Sequence, residues 1–209
     1  MSRPGARMLW LATLLMVFGN ATEPAAAEPV IVAFGDSITA GFGVLPDEAY
    51  PALLAARLRR EGYPYRVVNA GVSGDTTAAA LRRVDWVLRS HPSIVIVALG
   101  ANDGLRHQSV TAMRDNLVAI VRRLRAAGAA VLLTGMHVPP NYGPDYARAF
   151  AGVFPAVART VGVPLMPFLL DGVAGHPDLN QPDGIHPTAE GHRIIADTLW
   201  PHLKPLLRK

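Results

Sequence analysis

Hydrophobic positions along the chain alternate between two spacings. Val30 to Phe34 is a short apolar run closed by Gly35, the pattern of a buried strand. Ala49 to Arg60 then carries Leu53, Leu54 and Leu58 at helical spacing, with Pro51 near its start, where proline is tolerated, and Gly62 beyond its end. Arg66 to Asn69 reads as a second strand and Thr76 to Leu88 as a helix with Leu81, Val84 and Leu88 inward. Ile94 to Leu99 is apolar at every position, as a central parallel strand covered on both faces should be.

The second half repeats the alternation. Val110, Met113, Leu117, Ile120, Val121 and Leu124 form one helical face, and Gly128 ends that helix. Ala130 to Thr134 follows as a strand. Tyr146 to Val161 reads as a helix that Pro155 should kink or divide, and Val163 to Met166 as a short fifth strand. Thr188 to Leu199 closes the series as a helix ending before Pro201. Strands alternating with helices predict an α/β sandwich around a mostly parallel sheet. In such folds, ligands bind at the carboxyl ends of the strands.

Composition narrows the chemistry. The 209 residues contain no cysteine, which removes disulfides, thiolate nucleophiles and Cys-based metal centres together. The formal net charge is +4, with arginine supplying nearly all of the positive side. The pairs Arg59–Arg60, Arg82–Arg83 and Arg122–Arg123 fall in helical segments and read as solvated faces, so no nucleic-acid partner is expected. At the N-terminus, Arg3 and Arg7 precede an apolar run from Met8 to Phe18, and Ala25-Ala26-Ala27 stands before Glu28. Residues 1–27 therefore read as a signal peptide, too short in its apolar run to span a bilayer comfortably. A periplasmic or secreted domain of residues 28–209 is expected, with no stable membrane anchor once the signal is cut.

Polar, glycine-flanked segments follow the strands. They are Gly35-Asp36-Ser37, Asn69 to Asp75, Gly100-Ala101-Asn102-Asp103, and, near the C-terminus, Asp183-Gly184-Ile185-His186-Pro187. Each is ambiguous alone. Ser37 is either a helix cap or a nucleophile, and a nucleophile needs a base within hydrogen-bond reach. His186 could be that base, with Asp183 three residues earlier to orient it. Gly74 is either a turn former or an oxyanion donor, and Asn102 either a cap or a donor. A metal centre would draw on His137, His176, Asp178 and His192, but no metal-binding spacing joins them.

Taken in order, these four segments resemble the blocks of the SGNH, or GDSL-type, hydrolases. Within that family the chain is similar to the bacterial periplasmic thioesterase–lysophospholipase–arylesterase branch. Pro139-Pro140-Asn141-Tyr142-Gly143 and the short C-terminal helix add to that likeness. The resemblance implies a flavodoxin-like three-layer α/β/α sandwich with five strands. It implies Ser37, Asp183 and His186 as catalytic residues and an oxyanion hole of Ser37, Gly74 and Asn102. The expected substrate is a small acyl ester or thioester, cleaved without a cofactor. Val138, Pro139, Tyr142 and Ile185 flank the site segments and are expected to supply apolar cover for the acyl chain. Two other readings stand beside it: polysaccharide O-deacetylation, and a non-catalytic anion-binding loop around Gly35, Gly41 and Gly43.

Overall fold

The computed structural model describes Met1 and residues 28–209, so the expected signal peptide lies outside the described residues. Five parallel strands form one sheet: β1 (Val30–Gly35), β2 (Arg66–Gly71), β3 (Ile94–Ala98), β4 (Ala130–Thr134) and β5 (Leu165–Met166). Their spatial order is β2-β1-β3-β4-β5. From β1 the chain moves outward to β2 on one side and then returns to build β3, β4 and β5 on the other. The order reverses between β1 and β3, and the crevice above that point is where a doubly wound sheet receives its ligand.

Both faces of the sheet are covered, which is why β1 and β3 are buried at every residue. Helix α2 (Tyr50–Arg60) packs beside α8 (Ala189–Leu203), while α3 (Thr77–Arg82), α6 (Val110–Ala126) and α7 (Pro144–Val161) pack together. The apolar face read from α6 is buried at Met113, Leu117, Ile120, Val121 and Leu124. Two single-turn helices, α1 (Ser37–Ala40) and α5 (Ala101–Leu105), escape a reading based on periodicity because they are too short to show one. Both begin directly after strands at the reversal point.

Three helical expectations need correction. The helix read across 76–88 is divided at Arg83 into α3 and α4 (Val84–Leu88). Leu81 and Leu88 are only half-buried, and Ala80, Val84 and Val87 take the inner positions. Of the kink or division expected at Pro155, the division is absent, and α7 runs unbroken from Pro144 to Val161. A proline inside a helix costs about 3 kcal/mol. Burying one Phe or Val side chain returns about 1.5–3 kcal/mol, and this helix buries Phe150, Val153, Phe154, Val157 and Val161. The same balance carries α8 through Pro201, because Leu199, Trp200 and Leu203 are all buried around it.

Close backbone approach sets the geometry at the end of β1. A Cβ on Gly35 would meet Thr39 Oγ1 at 2.0 Å and the Ala98 carbonyl at 2.8 Å. Only a glycine lets α1 fold back over the strand that carries it. Asn69 at the end of β2 locks that return, donating from Nδ2 to the Thr39 carbonyl at 2.8 Å.

Candidate active site

Ser37 is the first residue of α1, directly beyond the end of β1. Asp36 caps this turn, its Oδ1 accepting from the Ile38 N–H at 3.1 Å. The carboxyl is buried and its second oxygen has no hydrogen-bond partner. Burial therefore pushes the Asp36 pKa up to about 7, although the Ile38 N–H and nearby His186 both favour its charge.

His186 reaches the same point from the other end of the chain. Its Nε2 lies 2.9 Å from Ser37 Oγ, and its Nδ1 lies 2.7 Å from Asp183 Oδ2. Asp183 Oδ1 accepts from the backbone N–H groups of Ile185 and His186, both at 3.0 Å. The hydrogen bond from His186, followed by that of the Ile185 N–H, holds the Asp183 pKa down to about 2. The carboxylate is therefore charged at neutral pH and can stabilise an imidazolium. A small antiparallel bridge, Asn180 with Pro187, closes the base of this loop, and the Gln181 N–H donates to the His186 carbonyl at 2.7 Å.

A second set of contacts gathers the ends of β1, β2 and β3. Arg83 donates from Nε to Asp75 Oδ2 at 2.6 Å, from Nη1 to the Ala70 carbonyl at 2.9 Å and from Nη2 to the Gly35 carbonyl at 3.0 Å. Its guanidinium also lies 4.5 Å from the centre of the Phe34 ring. Arg83 thus departs from the solvated face expected of the Arg82–Arg83 pair. At the break between α3 and α4 its side chain turns inward, adding a donor to the Gly35 carbonyl, which also accepts from the Val72 N–H at 3.0 Å. Asp103, next to Asn102, is buried and accepts from the Thr77 N–H at 2.8 Å and the Thr77 hydroxyl at 2.6 Å. Arg106 donates to the Gly74 carbonyl at 3.0 Å, and Gly74 itself has φ +80°.

The sequence matches the GDSL-like lipase/acylhydrolase family over residues 33–194. The chain belongs to this family. It is 46% identical over 187 residues to the Esterase TesA of Pseudomonas aeruginosa, covering 89% of this chain and 92% of that protein. It is 38% identical over 187 residues to the Thioesterase 1/protease 1/lysophospholipase L1 of Escherichia coli K12, covering 89% and 88%. A crystal structure of TesA superposes with a TM-score of 0.83 at 45% identity, covering 85% of this chain and 99% of that one. The five-stranded parallel sandwich is thus the SGNH hydrolase fold, and the protein is a carboxylic ester hydrolase.

In this GDSL-type hydrolase, Ser37, Asn102 and His186 line a cavity of about 440 Å³. Of the expected apolar cover, Val138, Pro139 and Ile185 are on its wall and Tyr142 is not. The Tyr142 hydroxyl donates to the Leu105 carbonyl at 2.9 Å, so it braces a wall residue from behind. Leu105, Met136, Phe168 and Leu170 also line the cavity, and sequence reading missed them. They come from distant segments with no shared spacing, so only the signal that each follows a strand or strand-end turn was there to find them. Gly74 lies off the lining, at the turn beyond β2.

Two of the candidate metal donors have other contacts. His137 stacks on Phe168 with ring centres 4.2 Å apart. His192 is fully buried, its Nδ1 accepting from the Tyr50 N–H at 3.3 Å. Among the described residues, no three His, Asp or Glu side chains gather in a metal-holding group, and no helix is long and apolar enough to cross a membrane.

Proposed function

We propose that this hydrolase cleaves esters and thioesters of acyl chains through an acyl-enzyme on Ser37. One observation carries the reading: the hydrogen-bonded series Ser37–His186–Asp183 opens directly onto a largely apolar cavity. Ser37 Oγ attacks the acyl carbon while His186 Nε2 takes its proton. Asp183 holds the Nδ1–H tautomer and stabilises the imidazolium. The carbonyl oxygen gains the negative charge and is received by the Ser37 and Gly74 N–H groups and the Asn102 amide. When the bond to the leaving oxygen or sulfur breaks, that atom takes the proton from His186. Water then attacks the acyl-enzyme with His186 as base again, Ser37 recovers its proton, and the carboxylic acid departs.

The apolar wall favours an acyl chain over a sugar, since Leu105, Met136, Val138 and Leu170 offer no hydrogen bonds to hydroxyl groups from their side chains. The names of the relatives, which include esterase, thioesterase and lysophospholipase, fit a site that accepts different leaving groups. Residues 28–209 act as one domain delivered beyond the cytoplasmic membrane by residues 1–27. The mass of the exported protein should correspond to a chain starting at Glu28.

The direct test is p-nitrophenol release from p-nitrophenyl butyrate. Ser37→Ala should lower kcat by about 10³-fold or more while remaining folded. A serine-directed fluorophosphonate should add covalently to the wild type alone. Equal turnover in both proteins would remove Ser37 as the nucleophile.

A further inference from the structure

We propose that Phe42 forms the leaving-group side of the site and selects esters of aromatic or bulky apolar alcohols. This rests on the acyl-enzyme reading above and extends it to the part of the substrate that departs first.

Phe42 is a large apolar side chain left 49% exposed, yet its backbone is fixed. Its N–H donates to the Ser37 carbonyl at 3.0 Å, and its carbonyl accepts from Gln181 Nε2 at 2.7 Å. Gly41 and Gly43 on either side both have positive φ, so the chain turns sharply before and after it. The result is a ring presented to solvent with its centre 4.6 Å from that of the His186 imidazole, the two planes tilted by 41°. Phe42 is not part of the cavity lining.

The tetrahedral intermediate assigns a direction to each substituent. One corner is Ser37 Oγ. The oxyanion points to Gly74 and Asn102, and the acyl chain enters the apolar cavity. The remaining corner is the leaving oxygen, which must approach His186 Nε2 to receive its proton. Whatever is bonded to that oxygen then extends along the imidazole, where the exposed Phe42 ring waits. Aromatic pairs favour offset or tilted arrangements with centres about 4.5–7 Å apart, which a planar leaving group could adopt here. Gln181 ties this turn to the base loop by also donating to the Pro187 carbonyl at 3.1 Å, so the ring keeps its place beside the base.

The test compares phenyl butyrate with ethyl butyrate, which share an acyl group. In Phe42→Ala the phenyl-to-ethyl ratio of kcat/KM should fall about 3- to 10-fold relative to wild type. Phe42→Tyr should restore it. A second readout starts from the butyryl-enzyme made from p-nitrophenyl butyrate, with benzyl alcohol or ethanol added to compete with water. The alcohol oxygen attacks the acyl carbon, its proton passes to His186 and on to Ser37 Oγ, and the new ester leaves. Wild type should favour benzyl alcohol over ethanol more strongly than Phe42→Ala does. Equal losses on both esters, meaning that Phe42 only props His186, would overturn the proposal, as would an unchanged ratio. Failure of the fluorophosphonate to label Ser37 would instead sink the nucleophile assignment, which the phenyl-to-ethyl ratio does not measure.

Discussion

The two halves of the site are built by opposite means. Ser37, Gly74 and Asn102 sit where three strands end, and buried groups hold that region. Asp36, Asp75 and Asp103 are all almost fully covered, and Arg83 joins three backbone or side-chain acceptors below the loops. Asp183 and His186 sit on a loop whose bonds are mostly local, and the Asp183 side chain is 40% exposed. One half is fixed by the core and the other by a turn. The Ser37 side therefore depends on the whole fold, while His186 needs a short closed loop and a tie to the turn after Ser37 through Gln181.

This contrast predicts that changes in the loop half remove turnover and leave stability nearly intact, whereas changes in the buried half reduce both. Asp183→Asn gives the largest effect. An amide there can present N–H to His186 Nδ1 and favour the tautomer with the proton on Nε2, which cannot accept from Ser37. A fall in kcat of about 10³–10⁴-fold is expected, with a nearly unchanged Tm. A large loss of Tm would break the comparison.

Arg83→Met comes next. It leaves the buried Asp75 carboxyl without its partner and takes one donor from the Ala70 carbonyl, while the Gly35 carbonyl keeps the Val72 N–H. Urea unfolding should show a loss near the lower end of about 3–5 kcal/mol, since the Arg83 side chain is 19% exposed. Displacing the Gly74 turn should lower kcat by about 10–100-fold. Arg83→Lys keeps the charge without the three-way fork and should recover stability more than turnover. Full stability in Arg83→Met would show that the buried half does not depend on this side chain.

The last test reads stability alone and concerns Asp36. Its folded pKa, raised to about 7 by burial, lies above the ordinary value of 3.8. The folded protein therefore holds this proton more tightly than the unfolded chain. The resulting stability is fully present below the ordinary value and is lost as pH rises through about 7. Asp36→Asn has no such proton, so its Tm relative to wild type should rise between pH 4 and pH 8. A constant difference over that range would show that burial does not set the ionisation of this group.

The strands were legible in the sequence because each depends on local pattern, whereas the polar segments, each ambiguous alone, took a meaning only from their order and the resemblance it carries. Ile94 to Leu99 is apolar at every position, as a covered strand is, and the strand observed is Ile94–Ala98. Arg83 was not legible, because an Arg-Arg pair on a helix looks the same whether or not one side chain turns inward. Phe42 was passed over because a single aromatic residue in a loop has no periodicity. Tyr142 flanks the site segments and so reads as apolar cover, but its hydroxyl fastens it to the Leu105 carbonyl. The prolines misled in the other direction, since their local cost is plain in sequence and the burial that offsets it is not.

By itself, the sequence determined an alternation of strands and helices and the chemical types placed after each strand. Those follow from side-chain spacing and backbone freedom, which act over a few residues. Tertiary structure alone decided that Ser37 and His186, 149 residues apart, stand within a hydrogen bond. It also decided which arginine is internal and which apolar residues share one cavity. These are meetings of distant segments, set by how the layers pack rather than by any one stretch of chain.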